Sequence, residues 1–243
     1  MMKRHPWGYA IVVVLLIWWL SSVIIKSPIL PSPISVFAFL LSKKGLAMGG
    51  HLITSIRRLL LGVASGLLIG YPLGLILGYY RLTHQLISPV VALLYPIPKT
   101  TFLPILMLAF GLGDAPKIGL IFLILVFPIT VMIRDRVLQL DPEWFTPLIA
   151  LGAKDHEIFR ELLIPATIPQ LLSTTRISMA TALSVLFLAE AFGTRSGVGF
   201  FIMDAMQRIN YTQMYAGIFL LGCLGVFCFQ GIDTLERKWN QKL

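Results

Sequence analysis

The chain has 243 residues, of which 57% are hydrophobic and 13% are charged, and its mean hydropathy is +0.84. A water-soluble domain has about a quarter of its residues charged, so the composition excludes a soluble globular protein and indicates an integral membrane protein. The formal charge of +9 does not indicate nucleic-acid binding, because the basic residues flank apolar segments instead of grouping with aromatic residues; contact with anionic membrane lipid explains it.

The first long apolar run predicts a membrane-spanning helix at about residues 7–25. Two basic residues precede it, as in a signal peptide. The run is, however, longer than the roughly 7–15 apolar residues of signal peptides, and no small-residue cleavage site follows. Three prolines from Lys26 to Pro33 then exclude a helix, and the apolar side of Ile34–Ser42 predicts a short helix in the membrane interface.

The second predicted span, at about residues 55–80, carries glycine at every fourth position. On a helix of 3.6 residues per turn these positions form a slowly curling stripe without side chains, which lets another backbone come close. The stripe predicts a helix that is buried in the bundle, and a subunit interface is one location at which such a helix could pack. The packing residues are Gly62, Gly66, Gly70, Gly74 and Gly78.

The third predicted span, at about residues 86–110, is interrupted by prolines at positions 96, 98 and 104. Each proline removes a backbone N–H donor, so the helix must be broken or kinked, and the freed carbonyl groups need internal partners or a wet cavity. Lys99 lies roughly midway along the span, where a lysine costs about 2.5–3.5 kcal/mol on insertion scales. It therefore marks a solute pathway, caps the freed carbonyl groups, or reaches back to the interface if the span is shallower.

Three further apolar runs predict spans at about residues 117–133, 170–192 and 214–232. The fifth span is rich in serine and threonine, whose hydroxyl groups can bond across helices or wet a passage. Glu190 lies near its far end, where we expect it to pair with a basic residue, and Gly193–Gly199 predicts a hinge into a short helix. The residues that we assign to a translocation pathway are Pro96, Pro98, Lys99, Thr100, Ser178, Thr181 and Glu190.

A polar segment at residues 134–169 separates the fourth and fifth predicted spans. Apolar residues recur in it at helical spacing between charged residues, which predicts two short amphipathic helices joined near Gly152. Without further context, such a segment is an amphipathic connector on the membrane surface.

The spacing of Gly152, Leu162, Ile164 and Pro165 resembles the last four landmarks of the EAA loop of ABC-importer membrane subunits. The opening Glu-Ala-Ala triplet of that loop is replaced here by Thr-Pro-Leu. Because a proline can begin a helix, the helix survives, but the turn before the glycine is left undetermined. The residues that the resemblance assigns to coupling with an ATPase are Thr146, Pro147, Leu148, Ala150, Gly152, Ala153, Ile158, Phe159, Leu162 and Pro165.

Further landmarks over residues 30–200 are similar to those of the permeases for nitrate, taurine and aliphatic sulfonates; they include Leu30–Pro33, Pro96–Lys99, Leu151–Ala153 and Ser196–Gly199. The resemblance implies an all-α polytopic membrane protein with a single permease domain over residues 1–243. It also implies six transmembrane helices, the type I ABC-importer permease fold, and a cytoplasmic coupling-helix loop between spans 4 and 5.

The resemblance also implies partners. Two copies of the chain form the pathway in the bacterial inner membrane, two cytoplasmic ATPase subunits drive it, and a periplasmic or lipid-anchored binding protein delivers the solute. The sequence has no Gly-rich loop ending in Gly-Lys-Ser/Thr and no side-chain cluster with catalytic or metal spacing. We therefore expect a transport subunit without enzymatic activity, cofactor or metal of its own, with ATP and Mg on the partner ATPase.

Six spans put both termini on one side of the membrane. Ten Lys and Arg residues lie on the side that holds the termini and the loop, against eight on the other side, which favours cytoplasmic termini. The family resemblance implies the same orientation.

The solute is expected to be a small anion such as a sulfonate or nitrate, because Lys99, the hydroxyl-rich fifth span and basic residues at the outer openings suit a negative charge. An ion-coupled secondary transporter is an alternative, since a broken span around Pro96–Pro104 fits a discontinuous-helix site, although no inverted repeat is visible. An intramembrane enzyme would need Lys99, Glu190 and scattered histidines to converge, and no recognisable pair exists in the sequence.

Overall fold

The computed structural model describes residues 6–241, which are almost entirely helical, with no strand in that range. Short 3₁₀ turns lie at Lys99–Phe102 and Pro142–Trp144, and a π turn lies at Phe159–Leu163. The α-helices are α1 (Pro6–Ile25), α2 (Pro33–Leu40), α3 (Lys43–Leu46), α4 (Gly49–Tyr79), α5 (Arg81–Leu94), α6 (Leu103–Phe110), α7 (Ala115–Leu138), α8 (Thr146–Ala150), α9 (Asp155–Ile158), α10 (Ile164–Ala191), α11 (Val198–Gln207) and α12 (Tyr211–Asn240).

Within residues 6–241, five helical segments are long and apolar enough to cross a membrane, and they correspond to the first, second, fourth, fifth and sixth predicted spans. The third predicted span consists of α5 and the segment Lys99–Phe110, which meet at a bend of 84°. The bend falls at Tyr95–Pro98, where two prolines remove backbone donors. The expected break is therefore present, and the bent pair makes a sixth candidate span.

Several helices extend beyond the predicted spans, because polar residues outside the apolar run still continue a helix. α4 begins at Gly49, ahead of the predicted start at residue 55, and α7 continues through a charged triplet to Leu138. α9, the π turn and α10 form one continuous segment, Asp155–Ala191. The second amphipathic helix predicted within residues 134–169 is thus the beginning of the fifth-span helix and not a separate element.

The beginning of that continuous segment has local causes. The Glu157 carboxylate accepts a hydrogen bond from the backbone N–H of Lys154 at 2.7 Å, which satisfies a donor at the start of α9. The π turn comes just before Pro165, whose missing N–H interrupts the regular hydrogen-bond ladder. The helix therefore continues through the proline with a local change of pitch.

The chain groups into two compact units. The first comprises Met1–Ser55 and Glu190–Cys223, and the second comprises Ile56–Ala189 and Leu224–Leu243. Three basic residues that were counted for the orientation lie outside the described residues: Lys3, Arg4 and Lys242.

In the first unit, aromatic side chains hold the segment after α1. The indole Nε1 of Trp18 donates a hydrogen bond to the carbonyl oxygen of Pro31 at 3.0 Å, and the Trp18 ring stacks on Tyr215 with centroids 5.8 Å apart. Phe37 of α2 meets Phe219 of α12 edge-on at 5.0 Å. The proline-rich elbow and the short helix α2, which the sequence predicted, are thus packed on α1 and the first half of α12.

In the second unit, the glycine stripe of α4 packs against α7. A Cβ atom built on Gly62 would lie 2.6 Å from the Cβ of Ile121, and one on Gly66 would lie 2.7 Å from the Cβ of Leu125, so only glycine fits. The same pattern continues with Gly70 at Ile129, Gly74 at Ile133 and Gly78 at Val137. The structure therefore places the stripe on a helix of the same chain and not at a subunit interface.

These contacts also fix the direction of the two helices. Residue numbers rise together along α4 and α7, so the two helices run parallel. The chain between them leaves the end of α4 at Tyr79 and must return to the opposite end, where α7 starts at Ala115. The bent pair therefore runs from one end of α4 and α7 to the other, as a broken span does and a re-entrant loop does not.

Candidate functional site

The loop after α7 contains the exposed helix α8, which ends in a well-defined turn. The backbone N–H of Gly152 donates to the carbonyl oxygen of Ile149 at 3.0 Å, and the N–H of Ala153 donates to that of Leu148 at 2.9 Å. This hydrogen-bond pair is the Schellman motif, which requires a left-handed residue after the helix, and Gly152 has φ +76°. The structure thus supplies the turn that the altered Thr-Pro-Leu opening left undetermined.

The start of α8 follows from the residues that replace the Glu-Ala-Ala triplet. Pro147 occupies the first turn of the helix, where a missing N–H costs nothing. The Thr146 hydroxyl donates to the carbonyl oxygen of Pro142 at 3.4 Å and links α8 to the preceding 3₁₀ turn. The departure from the family pattern therefore leaves the helix intact.

Large apolar side chains on this loop are exposed. The exposed fractions are 51% for Trp144, 62% for Ile149 and 85% for Leu151. By contrast, Ile158 and Leu163 beyond the turn are buried in the second unit. The loop therefore has an inner part that belongs to the core and an outer apolar surface that no described residue covers.

A group of five residues, which we call the tyrosine clamp, attaches this loop to the end of α4: Tyr79, Tyr80, Phe145, Asp155 and Phe159. The Tyr79 and Tyr80 hydroxyls donate to the two carboxylate oxygens of Asp155 at 3.1 and 2.9 Å. The hydrogen bond to Asp155 raises the pKa of Tyr80, and desolvation and the carboxylate charge add to it. The sequence analysis assigned only Phe159 to this loop site; the tyrosine pair directly after the last stripe glycine was the signal for the others.

Lys99 lies at the break of the third span and binds the backbone there. Its ammonium group donates to the carbonyl oxygens of Ile97 at 2.9 Å, Tyr95 at 3.2 Å and Leu94, and it lies 4.3 Å from the ring centroid of Phe127. An ammonium group has three N–H donors, so these carbonyl groups occupy all of them. Among the alternatives for Lys99, the structure shows the cap on the broken helix.

The same lysine also lines a groove of about 310 Å³. Tyr95, Thr100 and Thr181 line it with Lys99, and the rest of the lining is apolar: Ile124, Phe127, Pro128 and Val185. Ser178, another predicted pathway residue, is buried outside this lining, and the prolines at 96 and 98 are exposed beside it. The structure thus brings together Lys99, Thr100 and Thr181 from the predicted set.

Glu190 is fully buried in the first unit, at the start of the turn into α11. Its carboxylate oxygens accept from the Ser55 hydroxyl at 2.7–2.8 Å and from the Gly199 N–H at 2.9 Å, while the Val198 N–H donates to the Ser55 oxygen at 2.8 Å. Gly197 has φ +106°, and a Cβ atom there would collide with this carboxylate. Glu190 therefore fixes the start of α11, and Ser55 is a partner that sequence reasoning missed.

A second charged cluster lies at the start of α7. Arg58, which is buried, binds Asp114 through Nε at 2.8 Å and Nη2 at 2.7 Å, and the exposed Arg57 binds the other carboxylate oxygen. Burial alone raises the pKa of Asp114, but the hydrogen bonds and charges of Arg58 and Arg57 outweigh it and hold the pKa below its usual value. This ion pair joins α4 to the start of α7, at the end of these helices opposite the tyrosine clamp.

Comparison with known proteins gives consistent similarities. Residues 70–241 match the family described as binding-protein-dependent transport system inner membrane component. The chain is 29% identical to a putative aliphatic sulfonates transport permease protein, SsuC, of Bacillus subtilis, over 97% of this chain and 88% of that protein. It is 26% identical to the taurine transport system permease protein TauC of Escherichia coli, over 93% and 85% of the two chains.

A relative from Halalkalibacterium halodurans, 26% identical over 94% of this chain and 93% of its own length, is named as a formylaminopyrimidine transport permease, ThiX. Among solved structures, a chain of the methionine ABC transporter MetNI in an inward-facing conformation matches with a TM-score of 0.72 at 20% identity. That match covers 82% of this chain and 99% of the MetNI chain, so the type I importer permease fold is shared over almost the whole of that chain.

Proposed function

The chain belongs to the family of inner membrane components of binding-protein-dependent transport systems, and we propose that its loop after α7 is where a cytoplasmic ATPase subunit docks. The chain is thus a permease subunit of an ABC importer, a multi-pass protein of the inner membrane that moves its solute without transforming it. The proposal adds where the driving force enters and which solute class passes.

The observation that carries the proposal is the exposed apolar surface of Trp144, Ile149 and Leu151 on a polar loop outside the spans. A short helix with an exposed apolar face is the element that a hydrophobic groove on another protein binds. The Schellman turn at Gly152 fixes the orientation of that face, so the loop is ordered before a partner arrives.

The proposed assembly has two copies of this chain, two ATPase subunits and a periplasmic or lipid-anchored binding protein. ATP and Mg bind to the ATPase subunits, and both termini of the permease lie in the cytoplasm with the loop. Closure of the ATPase pair moves the docked loops, and the spans of the two permease copies rock between an outward and an inward opening.

Copurification tests the docking site. Ile149→Asp places a charge in the apolar surface, and we expect the Mg-ATPase activity that copurifies with the tagged permease to fall at least about tenfold. Leu112→Asp is the matched control, because Leu112 is 63% exposed but lies before the opposite end of α7. Equal ATPase activity in the two variants would contradict the docking site.

For the solute, we propose a small anion such as a sulfonate or nitrate. The support is the groove that Lys99 lines together with the hydroxyl-bearing residues Tyr95, Thr100 and Thr181. The three N–H groups of Lys99 are bonded to carbonyl groups. In the proposal, Lys99 therefore attracts the anion through its charge alone, and hydroxyl groups donate the hydrogen bonds to the anion. The relatives are named for the transport of sulfonates, taurine or a formylaminopyrimidine. Because similar permeases are named for such different solutes, we propose that the binding protein contributes to selectivity.

Replacement of Lys99 tests the electrostatic part. Lys99→Met removes the charge, and we expect uptake of radiolabelled methanesulfonate or nitrate to fall about tenfold or more, at equal amounts of protein in the membrane. Lys99→Arg keeps the charge and should retain most of the uptake. Unchanged uptake by the Met variant would show that the groove does not attract an anion electrostatically.

The broken third span alone would also suit an ion-coupled secondary transporter. Family membership favours the ATP-driven importer. Uptake that follows an ion gradient in vesicles without an ATPase would favour the secondary transporter instead.

A further inference from the structure

The tyrosine clamp joins two parts of the chain that are not neighbours in sequence. Tyr79 ends α4 and Tyr80 directly follows it, whereas Asp155 begins the helical segment after the loop. The bent pair and α7 intervene between them. The two hydroxyl–carboxylate hydrogen bonds are thus direct contacts between the end of α4 and the segment that follows the loop.

The rings of the clamp hold the loop on both sides of α8. The Tyr79 ring stacks on Phe145, before α8, with centroids 6.4 Å apart and an interplanar angle of 25°, and it meets Phe159, after α8, edge-on at 5.1 Å. Tyr80 adds a contact with Phe159 at 6.1 Å. Rings in these geometries attract one another beyond simple burial, so α8 cannot shift far without moving the end of α4.

α4 is in turn fixed to α7 along its length. At the glycine stripe the two helices leave no room for even one added methyl group, and the Thr130 hydroxyl donates to the carbonyl oxygen of Gly70 at 3.2 Å. Packed helices can still slide by about 1–2 Å. The Arg58–Asp114 ion pair opposes such sliding at one end of the two helices.

We infer that the tyrosine clamp transmits the movement of the loop to α4 and α7, which then move as one body across the membrane. The inference rests on the proposed function, because the force comes from an ATPase docked on the loop. When the loop moves, Asp155 and the Phe145 and Phe159 rings pull the end of α4 with it. The stripe and the Arg58–Asp114 ion pair carry the movement to the outer end of α7, beside Leu112.

The test measures movement at that outer end. In a protein carrying Cys223→Ser and Cys228→Ser, Leu112→Cys reports its accessibility through the rate of reaction with a membrane-impermeant maleimide. The rate is measured for the permease–ATPase complex in liposomes, with and without Mg-ATP and vanadate. Tyr79→Phe with Tyr80→Phe removes both hydroxyl groups and keeps the rings, and Asp155→Ala, which removes both acceptor oxygens, is a second, independent variant.

With an intact clamp, we expect nucleotide to change the labelling rate at position 112. Both clamp variants should reduce that change about fivefold or more while the ATPase still copurifies. Tyr9→Phe, at a phenol that is 77% exposed on α1, should leave the change intact. A change that persists in the clamp variants would overturn transmission through the clamp. Loss of the ATPase from them would overturn it as well, because the cluster would then form the docking surface.

The proposed function has a separate outcome in the same experiment. If the protein with an intact clamp retains no ATPase, the docking proposal fails, and the transmission inference fails with it. If the ATPase is retained and nucleotide changes the labelling rate of the clamp variants as much as that of the protein with an intact clamp, the docking proposal stands. The clamp inference alone is then wrong.

Discussion

At the scale of single residues, charged side chains within the apolar chain are held by specific neighbours. The Lys99 ammonium binds backbone carbonyl groups at the break of the third span, and the Glu190 carboxylate binds Ser55 and a backbone N–H. A buried charge without such partners would cost several kcal/mol. The sequence identified both residues as exceptional, but it did not show which atoms satisfy them.

Asp114 gives a pH-dependent prediction at this scale. Its folded-state pKa is below the unfolded value of about 3.9, so the ion pairs stabilise the fold fully above that value. The stabilisation is lost as the pH falls through the folded-state pKa. We expect the difference in unfolding temperature between the wild type and Asp114→Asn to be constant at neutral pH and to shrink below about pH 4.

Static light scattering during heating of the detergent-purified protein measures this difference. Asp204→Asn is the control, because Asp204 forms an exposed pair with Arg208 within four residues, and such pairs contribute little. A difference for Asp114→Asn that stays the same down to pH 3 would show that the ion pairs do not stabilise the fold.

At the scale of elements, the glycine stripe decides how two spans meet. In lipid the helices gain nothing from hydrophobic burial against each other, so close packing must hold them together. α4 supplies the groove, and the side chains of α7 at positions 121, 125, 129, 133 and 137 fill it. The period of four in both helices keeps the contact continuous over their length.

Gly66→Ala tests this packing. The added Cβ would lie 2.7 Å from the Cβ of Leu125, which has no flexible end to move aside, so we expect a loss of about 1–3 kcal/mol of stability. Gly119→Ala is the control, because its Cβ would lie 3.7 Å from the nearest atom, a flexible Leu106 methyl group. Thermal unfolding in detergent compares the two; equal stability would mean that the helices separate easily at the stripe.

At the scale of the whole molecule, the parallel packing of α4 and α7 determines the number of crossings. The bent pair connects opposite ends of these helices and therefore counts as a span. Together with the five other candidate spans within residues 6–241 this makes six, and we expect an even number of crossings to return the chain to its starting side.

Reporter fusions test this topology. Alkaline phosphatase, which is active only outside the cytoplasm, should be active when fused after Leu112 and inactive when fused after Gln139. A fluorescent protein that folds only in the cytoplasm should fluoresce at the C-terminus. The same reporter response at Leu112 and Gln139 would mean that α7 does not cross, and activity of the phosphatase at the C-terminus would contradict cytoplasmic termini.

The sequence by itself determined the class of protein, the approximate spans and the existence of the break. An apolar composition requires a membrane environment, and an apolar run must be long enough to cross the bilayer. A proline lacks a backbone N–H donor at any position in the chain. The loop glycine and the family landmarks were also legible, because a left-handed turn after a helix favours one residue type.

Only the tertiary structure decided which surfaces meet. It placed the glycine stripe on α7 of the same chain, paired Arg58 with Asp114, and brought Tyr79 and Tyr80 to Asp155. These partners are between about 55 and 75 residues apart in the chain, where no local pattern links them. Local chemistry fixes what each residue can bind, whereas the packing of distant helices fixes what it does bind.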